Sequence, residues 1–340
     1  MKSALRTVLQ ATVLAAALAL ACGGGPAPAP GNTTPVLGVS GTRLTVDGRP
    51  RFLTVASYFD GVRRARAGRV DEDLGFLARH VDGVRVLPNW WASTCPLRSG
   101  DDTLIALDGS VRESTWRALE HLLDAAVAAR LVVDISFTRE TVTDNASPRR
   151  TLSPAAYEAA VLRLLAEPRF LKGRYPNVMV DVQNEWTRFA DAAEIERLLA
   201  RVHAADPSRL LAASVSAGRY VPTGRAIKTM VAAYHDPRDA DWFTPAVVQA
   251  QVDGVRGQVA QPVYLQEPMP ASAICEGQIV DTDLAHFASA RLAAERAGAA
   301  AWTFHTRTTF DLSTQLLVEK FRMAPYEAER RAIESIQRAR

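Results

Sequence analysis

Two carboxylates stand where apolar runs of the chain end. The run Val178-Met179-Val180-Asp181-Val182-Gln183 leads directly into Asn184-Glu185-Trp186, and Pro262-Val263-Tyr264-Leu265-Gln266 leads into Glu267-Pro268. A glutamate at the end of a buried strand is costly unless it is paired or used in chemistry. One such residue alone reads most simply as part of a loop. Two of them, each closing an apolar strand, fit the needs of glycosidic bond cleavage. That reaction uses one protonated acid to assist the departing oxygen and one ionised carboxylate opposite it. Other chemically capable side chains occupy similar places: Arg85 inside Gly83-Val84-Arg85-Val86-Leu87, Asn89-Trp90-Trp91 beyond it, Tyr234-His235-Asp236, then Trp302 and His305, with Tyr58 after the first apolar run.

The elements that must position these groups are short apolar runs alternating with helical patterns. Strands are expected at Leu53–Ser57, Gly83–Leu87, Leu131–Phe137, Val178–Gln183, Leu211–Val215, Met230–Tyr234, Pro262–Gln266 and Ala299–Phe304. Most are runs of Val, Ile, Leu and Ala without strict alternation, as parallel strands buried on both faces should be. Helices are expected over Glu113–Arg130, from Ser153-Pro154 with Ser as N-cap, and over Asp191–His203, Pro245–Val259, Thr282–Ala297 and Leu312–Arg338. Pro222–Lys228 carries the weakest helical pattern. Ahead of them, Leu44–Leu53 reads as a β-hairpin turning at Asp47-Gly48. Eight strand-plus-crossover units specify an α/β fold, a single-domain (β/α)8 barrel behind a short N-terminal hairpin. An open doubly wound sheet would prefer a glycine-rich phosphate turn after its first strand, where this chain has Tyr58-Phe59-Asp60-Gly61. In a barrel of this kind the active site lies at the C-terminal ends of the strands, which is where the residues above stand.

From about Val36 to its end, the chain resembles glycoside hydrolase clan A, in particular its cellulase-like members such as glycoside hydrolase family 5. The resemblance rests on Asn184-Glu185 after the fourth strand and Glu267 after the seventh. It implies that Glu185 is the general acid/base, that Glu267 is the nucleophile, and that configuration is retained. It also implies that Arg85 holds the nucleophile ionised, that Asn184 binds the sugar 2-hydroxyl, that Tyr234 hydrogen-bonds the nucleophile, and that Trp302 floors the sugar. Parity at a strand end leaves open whether Tyr234 or its neighbour His235 faces the site, and a core position is the alternative for Trp302. Two departures stand out. The family's histidine near the end of the third strand is missing from Asp134-Ile135-Ser136-Phe137-Thr138-Arg139. Ala232 stands at the first position of the usual His-x-Tyr on the sixth strand. Trp90, Trp91, Trp186 and Trp242 are expected in loops, as sugar platforms or as loop anchors.

Composition narrows the remaining classes. The 340 residues are 48% hydrophobic and 23% charged, with a formal charge of +3. Acidic and basic residues are interspersed, which gives no nucleic-acid footprint. The densest basic cluster, Arg63–Arg66, reads as a solvated loop. No metal-ligand motif or nucleophile elbow is present, and neither metal nor cofactor is expected. The other metal arrangement that the residue types allow combines Asp181 and Asp236 with the two glutamates. Residues 1–22 read as an export signal, with Lys2 and Arg6 ahead of an apolar run and Cys22 placed for lipidation; residues 23–35 read as a Gly/Pro/Ala tether. The chain is thus expected to be exported, a monomer held at a cell envelope by a lipid on Cys22, and otherwise periplasmic or secreted. Cys95 and Cys275 are either a disulfide or two buried thiols. The expected partner is a β-linked glycan. The alternative function is a lipid-tethered carbohydrate-binding protein on a degenerate barrel.

Overall fold

The computed structural model describes residues 34–58, 61–89, 103–141, 150–168, 170, 173–216, 218, 220–236, 240–268 and 284–305. The signal and tether, Cys22, Cys95, Cys275, Trp90, Trp91 and the expected helix over 312–338 lie outside the described residues. Strands are β1 (Leu37–Ser40), β2 (Arg43–Val46), β3 (Arg49–Pro50), β4 (Leu53–Ser57), β5 (Gly83–Val86), β6 (Val132–Ser136), β7 (Glu140–Thr141), β8 (Arg150–Thr151), β9 (Val178–Asp181), β10 (Leu210–Ala212), β11 (Ala232–His235), β12 (Val263–Glu267) and β13 (Ala301–Phe304). Helices are α1 (Gly61–Arg66), α2 (Val70–Leu77), α3 (Glu113–Ala128), α4 (Pro154–Ala166), α5 (Ala192–Ala205), α6 (Pro245–Arg256) and α7 (Leu284–Arg296).

Eight parallel strands run in the order β10-β9-β6-β5-β4-β13-β12-β11. Parallel bridges Leu211↔Met230 and Val215↔Tyr234 join the two ends, closing the sheet into a (β/α)8 barrel. All eight predicted strands are present within a few residues of their expected limits. Because strand side chains alternate, each strand serves two cores. Val84, Val86, Val133, Ile135, Val178, Val180, Val263 and Leu265 face outward to the helices. Leu53, Val55, Val132, Met179, Leu210, Ala233, Tyr264 and Ala301 fill the lumen. That two-sided burial is why the strands show no simple alternation of apolar and polar residues in sequence.

The hairpin turns at Asp47 and Gly48, both with positive φ (54° and 76°), as a two-residue primed turn requires. The N-terminal sheet nevertheless has three strands, since β1 pairs antiparallel with β2. Leu37 and Leu44 of this sheet pack with the lumen residues and stopper the N-terminal end of the barrel. Ser153 caps α4 by accepting from Ala156 N at 3.2 Å, and Asp191 caps α5 by accepting from Glu194 N at 2.8 Å.

Two expectations fail. Residues 222–228 contain no helix, so β10 and β11 are joined by a helix-free segment among the described residues. Arg63–Arg66 is not a solvated loop but lies in α1, and Arg64 is buried. Arg64 donates to Asp73 of α2 through Nε at 2.6 Å and Nη2 at 2.8 Å, and Tyr58 Oη donates to the same carboxylate at 2.5 Å. Only the helix-to-helix packing supplies the carboxylate that makes burying this guanidinium tolerable.

Candidate active site

At the C-terminal end of the barrel, β5, β6, β9, β11, β12 and β13 deliver a connected set of polar side chains. Its centre is Arg85, fully buried on β5. Arg85 donates through Nη1 to Glu267 Oε1 at 2.7 Å, through Nη2 to Asn184 Oδ1 at 2.6 Å and through Nε to Ser136 Oγ at 2.9 Å. Asp134 Oδ2 is 3.6 Å from its Nε. Burial opposes the guanidinium charge, but Glu267 and Asp134 hold its pKa above the usual arginine value. Ser136 and Asp134 thus fill the stretch where the family histidine is missing, and they complete the coordination of Arg85.

Glu267 reaches the lumen through an irregularity in pairing. Tyr234 is level with Leu265, but the next residue, His235, is level with Glu267, so Gln266 is an extra residue on β12. A bulge of this kind re-aims side chains. Here Gln266 and Glu267 both turn inward: Gln266 Nε2 donates to Asp134 Oδ2 at 2.7 Å while Glu267 meets Arg85. The orientation of Gln266 leaves its Oε1 facing His235 Nε2 at 2.9 Å, so that ring nitrogen is the donor. His235 Nδ1 then points at both glutamates, 3.5 Å from Glu185 Oε1 and 3.4 Å from Glu267 Oε2. A proton on that nitrogen would lie within reach of either carboxylate.

Glu185 follows β9 in the left-handed conformation (φ 49°, ψ 49°) and opens a short 3-10 turn, Trp186–Arg188. This φ is unusual for a residue other than glycine and marks strain carried by the site. Ser214 Oγ accepts the Glu185 backbone N–H at 3.1 Å, and Arg188 donates to Glu185 Oε2. Burial pushes the Glu185 carboxyl up, but the contacts with His235 and Arg188 outweigh it and bring its pKa down to about 2. Carboxylate oxygens of Glu185 and Glu267 and a ring nitrogen of His235 all lie within 4.8 Å of one another. Such a trio could approach a cation, yet guanidinium groups already hold one oxygen of each glutamate, and their charge opposes a divalent ion there.

The structure corrects two expected site residues. Tyr234, Leu265 and Trp302 are register partners on β11, β12 and β13, so their side chains share a face, and that face is the outer one. The Tyr234 hydroxyl donates to the Gly218 carbonyl rather than to Glu267, and its ring meets Tyr220 edge-on at 6.1 Å. Trp302 is fully buried in the core between barrel and helices, T-shaped against Phe304 at 6.1 Å. It is no sugar platform. Replacing Trp302 by leucine is expected to cost roughly 2–4 kcal/mol of stability in urea denaturation, as a core truncation does, with KM unchanged; a raised KM at unchanged stability would restore the stacking role. Trp186 and Trp242 are likewise buried core residues.

Sequence reasoning gave Ser57, Gln266 and Arg188 no place in the site, and named His305 at its strand end without a role. His305 Nε2 is 3.5 Å from Glu267 Oε2, and its Nδ1 is 2.9 Å from Ser57 Oγ. Extending alternation from inward Ala301 would have found His305 and set Trp302 outward together. Asp181 sits below the site, accepting from Ser214 N at 3.0 Å. Asp236 does not join the other acids: it is fully buried, and neither oxygen has a hydrogen-bond partner among the described residues. Burial holds its pKa well above the usual aspartate value. Burial and neighbouring Asp181 likewise raise Asp134, which reaches about 6 although Arg85 opposes the shift. An acid whose folded pKa is raised contributes most below its unfolded pKa, and that contribution is lost as pH rises through the folded value. Asp236→Asn is therefore expected to stabilise the protein at pH 7 and to have little effect at pH 3. Chemical denaturation at both pH values checks this; equal effects at the two would contradict it.

No family model matches the sequence, and no curated protein matches it. Among solved structures, the chain is similar to a β-glucanase from Saccharophagus degradans in complex with cellotetraose, with a TM-score of 0.57, 12% identity and coverage of 92% of this chain and 97% of that one. It is similar to a glycoside hydrolase family 5 mannosidase from Rhizomucor miehei, with a TM-score of 0.55, 12% identity and coverage of 79% and 85%. It is also similar to a family 5 protein from Streptomyces cattleya in complex with Manβ1-4GlcNAc, with a TM-score of 0.52, 15% identity and coverage of 74% and 70%. The chain shares the (β/α)8 barrel fold of these structures.

Proposed function

We propose that this chain is a retaining β-glycoside hydrolase, with Glu267 as nucleophile and Glu185 as general acid/base. The observation that carries the reading is the approach of the two carboxylates to within 4.8 Å at the mouth of the barrel. Retaining enzymes hold their carboxyl groups at ~5 Å, whereas inverting ones leave a wider gap for water. The structural neighbours support the same chemistry, since several are glycosidases acting on β-linked mannose or glucose polymers.

In the first step Glu267 Oε2, the oxygen not held by Arg85, attacks the anomeric carbon. The C–O bond to the leaving group breaks, and its electron pair goes to the departing oxygen, which takes a proton from Glu185. In the second step Glu185 takes a proton from water as that water attacks the same carbon, releasing Glu267. Arg85 supplies the countercharge for Glu267. By accepting from Arg85, Asn184 Oδ1 turns the amide Nδ2 outward as a donor for a sugar hydroxyl. His235 is a positioning residue between the carboxylates. The reading also takes the chain to be exported and tethered through a lipid on Cys22, the arrangement suggested by residues 1–35.

The test is the anomeric configuration of the first-formed product from aryl β-mannosides and β-glucosides, followed by proton NMR. A β-hemiacetal is expected. An α-product would overturn the mechanism, and absence of any turnover, with sugar binding intact, would point to a binding protein.

A further inference from the structure

A general acid must carry a proton before it can deliver one, and in this structure both oxygens of Glu185 are already engaged by neighbouring side chains. Its Oε2 is held by Arg188, three residues along the same turn. Its Oε1 faces His235. Arg188 is unlike Arg85. It is 46% exposed, projects from the rim over Phe189, and among the described residues hydrogen-bonds only Glu185. Glu140 and Glu267 also act on it electrostatically. Beside it on the rim lie two hydroxyls, Thr187 Oγ1 and Ser216 Oγ, 2.7 Å apart. An exposed guanidinium clamped to the acid/base would hinder catalysis unless the substrate removes it.

We propose that Arg188 binds the carboxylate of an acidic sugar, a uronate, on the leaving-group side of the scissile bond, and that this exchange frees Glu185 to take up its proton. The leaving side follows from the role of Glu185, which must lie against the departing oxygen. This inference rests on the glycosidase reading above. The guanidinium fork matches a carboxylate with two parallel hydrogen bonds, which an alcohol cannot provide. The charge balance is conserved: one carboxylate replaces another on Arg188, and the displaced one becomes a neutral acid. Binding of the uronate therefore takes up one proton, supplied by solvent.

The experiment compares two β-linked disaccharides that differ only in carboxylate or hydroxymethyl on the leaving sugar, together with an aryl β-glycoside, using wild type, Arg188→Gln and Arg188→Lys. Arg188 is at the surface, so the variants are expected to fold. Wild type should prefer the uronate by roughly 10–100-fold in kcat/KM, the range of a charge-assisted bidentate contact. Arg188→Gln should lose that preference while its turnover of the neutral disaccharide rises, and Arg188→Lys should fall between. Calorimetry of Glu267→Gln with the uronate, in buffers of different ionisation enthalpy, should report uptake of about one proton. Equal losses on both disaccharides, a wild type indifferent to the carboxylate, or binding without proton uptake would each overturn the inference and leave the glycosidase reading standing. Failure of wild type to cleave even the aryl glycoside would remove both.

Discussion

Under the proposed retaining mechanism, Glu267→Ala is expected to lose turnover of an aryl β-glycoside by on the order of 10^4–10^6-fold, the scale seen when a nucleophile is deleted from a coupled catalytic set. Added azide is expected to restore glycosyl transfer and yield the α-glycosyl azide, entering the cavity left by the carboxylate and attacking the face assigned to Glu267. Glu185→Ala behaves differently. With a dinitrophenyl leaving group, which needs no proton, its first step stays near the wild-type rate, whereas a poor leaving group exposes the full 10²–10⁴-fold worth of acid catalysis, on the order expected for a positioned proton donor. For this variant azide is expected to give the β-azide, by attack on the proposed glycosyl-enzyme from the side of the missing base. The two azide products are assigned by NMR. If both variants gave the same anomer, or both collapsed equally on the dinitrophenyl substrate, the division of roles would be wrong. The contrast is sharp because the two glutamates are close but differently held: Glu267 by the buried Arg85, Glu185 by the exposed Arg188.

The second large effect falls on stability as well as rate. Arg85→Met strips the countercharge from buried Glu267 and the donor from Asn184 and Ser136 in one step. Removing one partner of a buried ion pair costs about 3–5 kcal/mol, since the other charge stays desolvated and unmatched. The signature lies in the double variant. Glu267→Gln in the Arg85→Met background is expected to recover about 1–3 kcal/mol, a coupling typical of directly paired residues. Urea denaturation of the wild type, both single variants and the double variant closes the cycle. Simple additivity would show that Arg85 acts through packing and not through the carboxylate. Arg85→Lys is expected to remain severely impaired, because an ammonium cannot span Glu267, Asn184 and Ser136 from one position.

The pH dependence follows from the same groups. Glu185, with its carboxyl lowered to about 2, contributes stability above its ordinary value, and this is lost as pH falls toward 2. Asp134 and Asp236 act in the opposite direction, with their contributions fading as pH rises through their raised values.

The sequence by itself determined the architecture. Eight runs of apolar residues too short for buried helices, separated by amphipathic segments, leave few folds other than a closed parallel barrel. The placing of Arg85, Asn184, Glu185 and Glu267 at strand ends follows from the same runs, since strand limits can be read from composition. The tertiary structure alone decided which way neighbouring residues face. Parity is fixed within a strand, but its sign depends on the partner strand, and a shift of one residue inverts it. Tyr234 and His235 are a case in point: pairing with Leu265 sends Tyr234 outward, while the irregularity opposite Gln266 turns His235 and Glu267 to the lumen. Trp302 went to the core for the same reason, as the outward register partner of Leu265. Nor could composition reveal that Arg188 would fold back onto Glu185. That contact depends on the left-handed backbone at Glu185, a local conformation that residue type argues against and only the surrounding barrel holds in place.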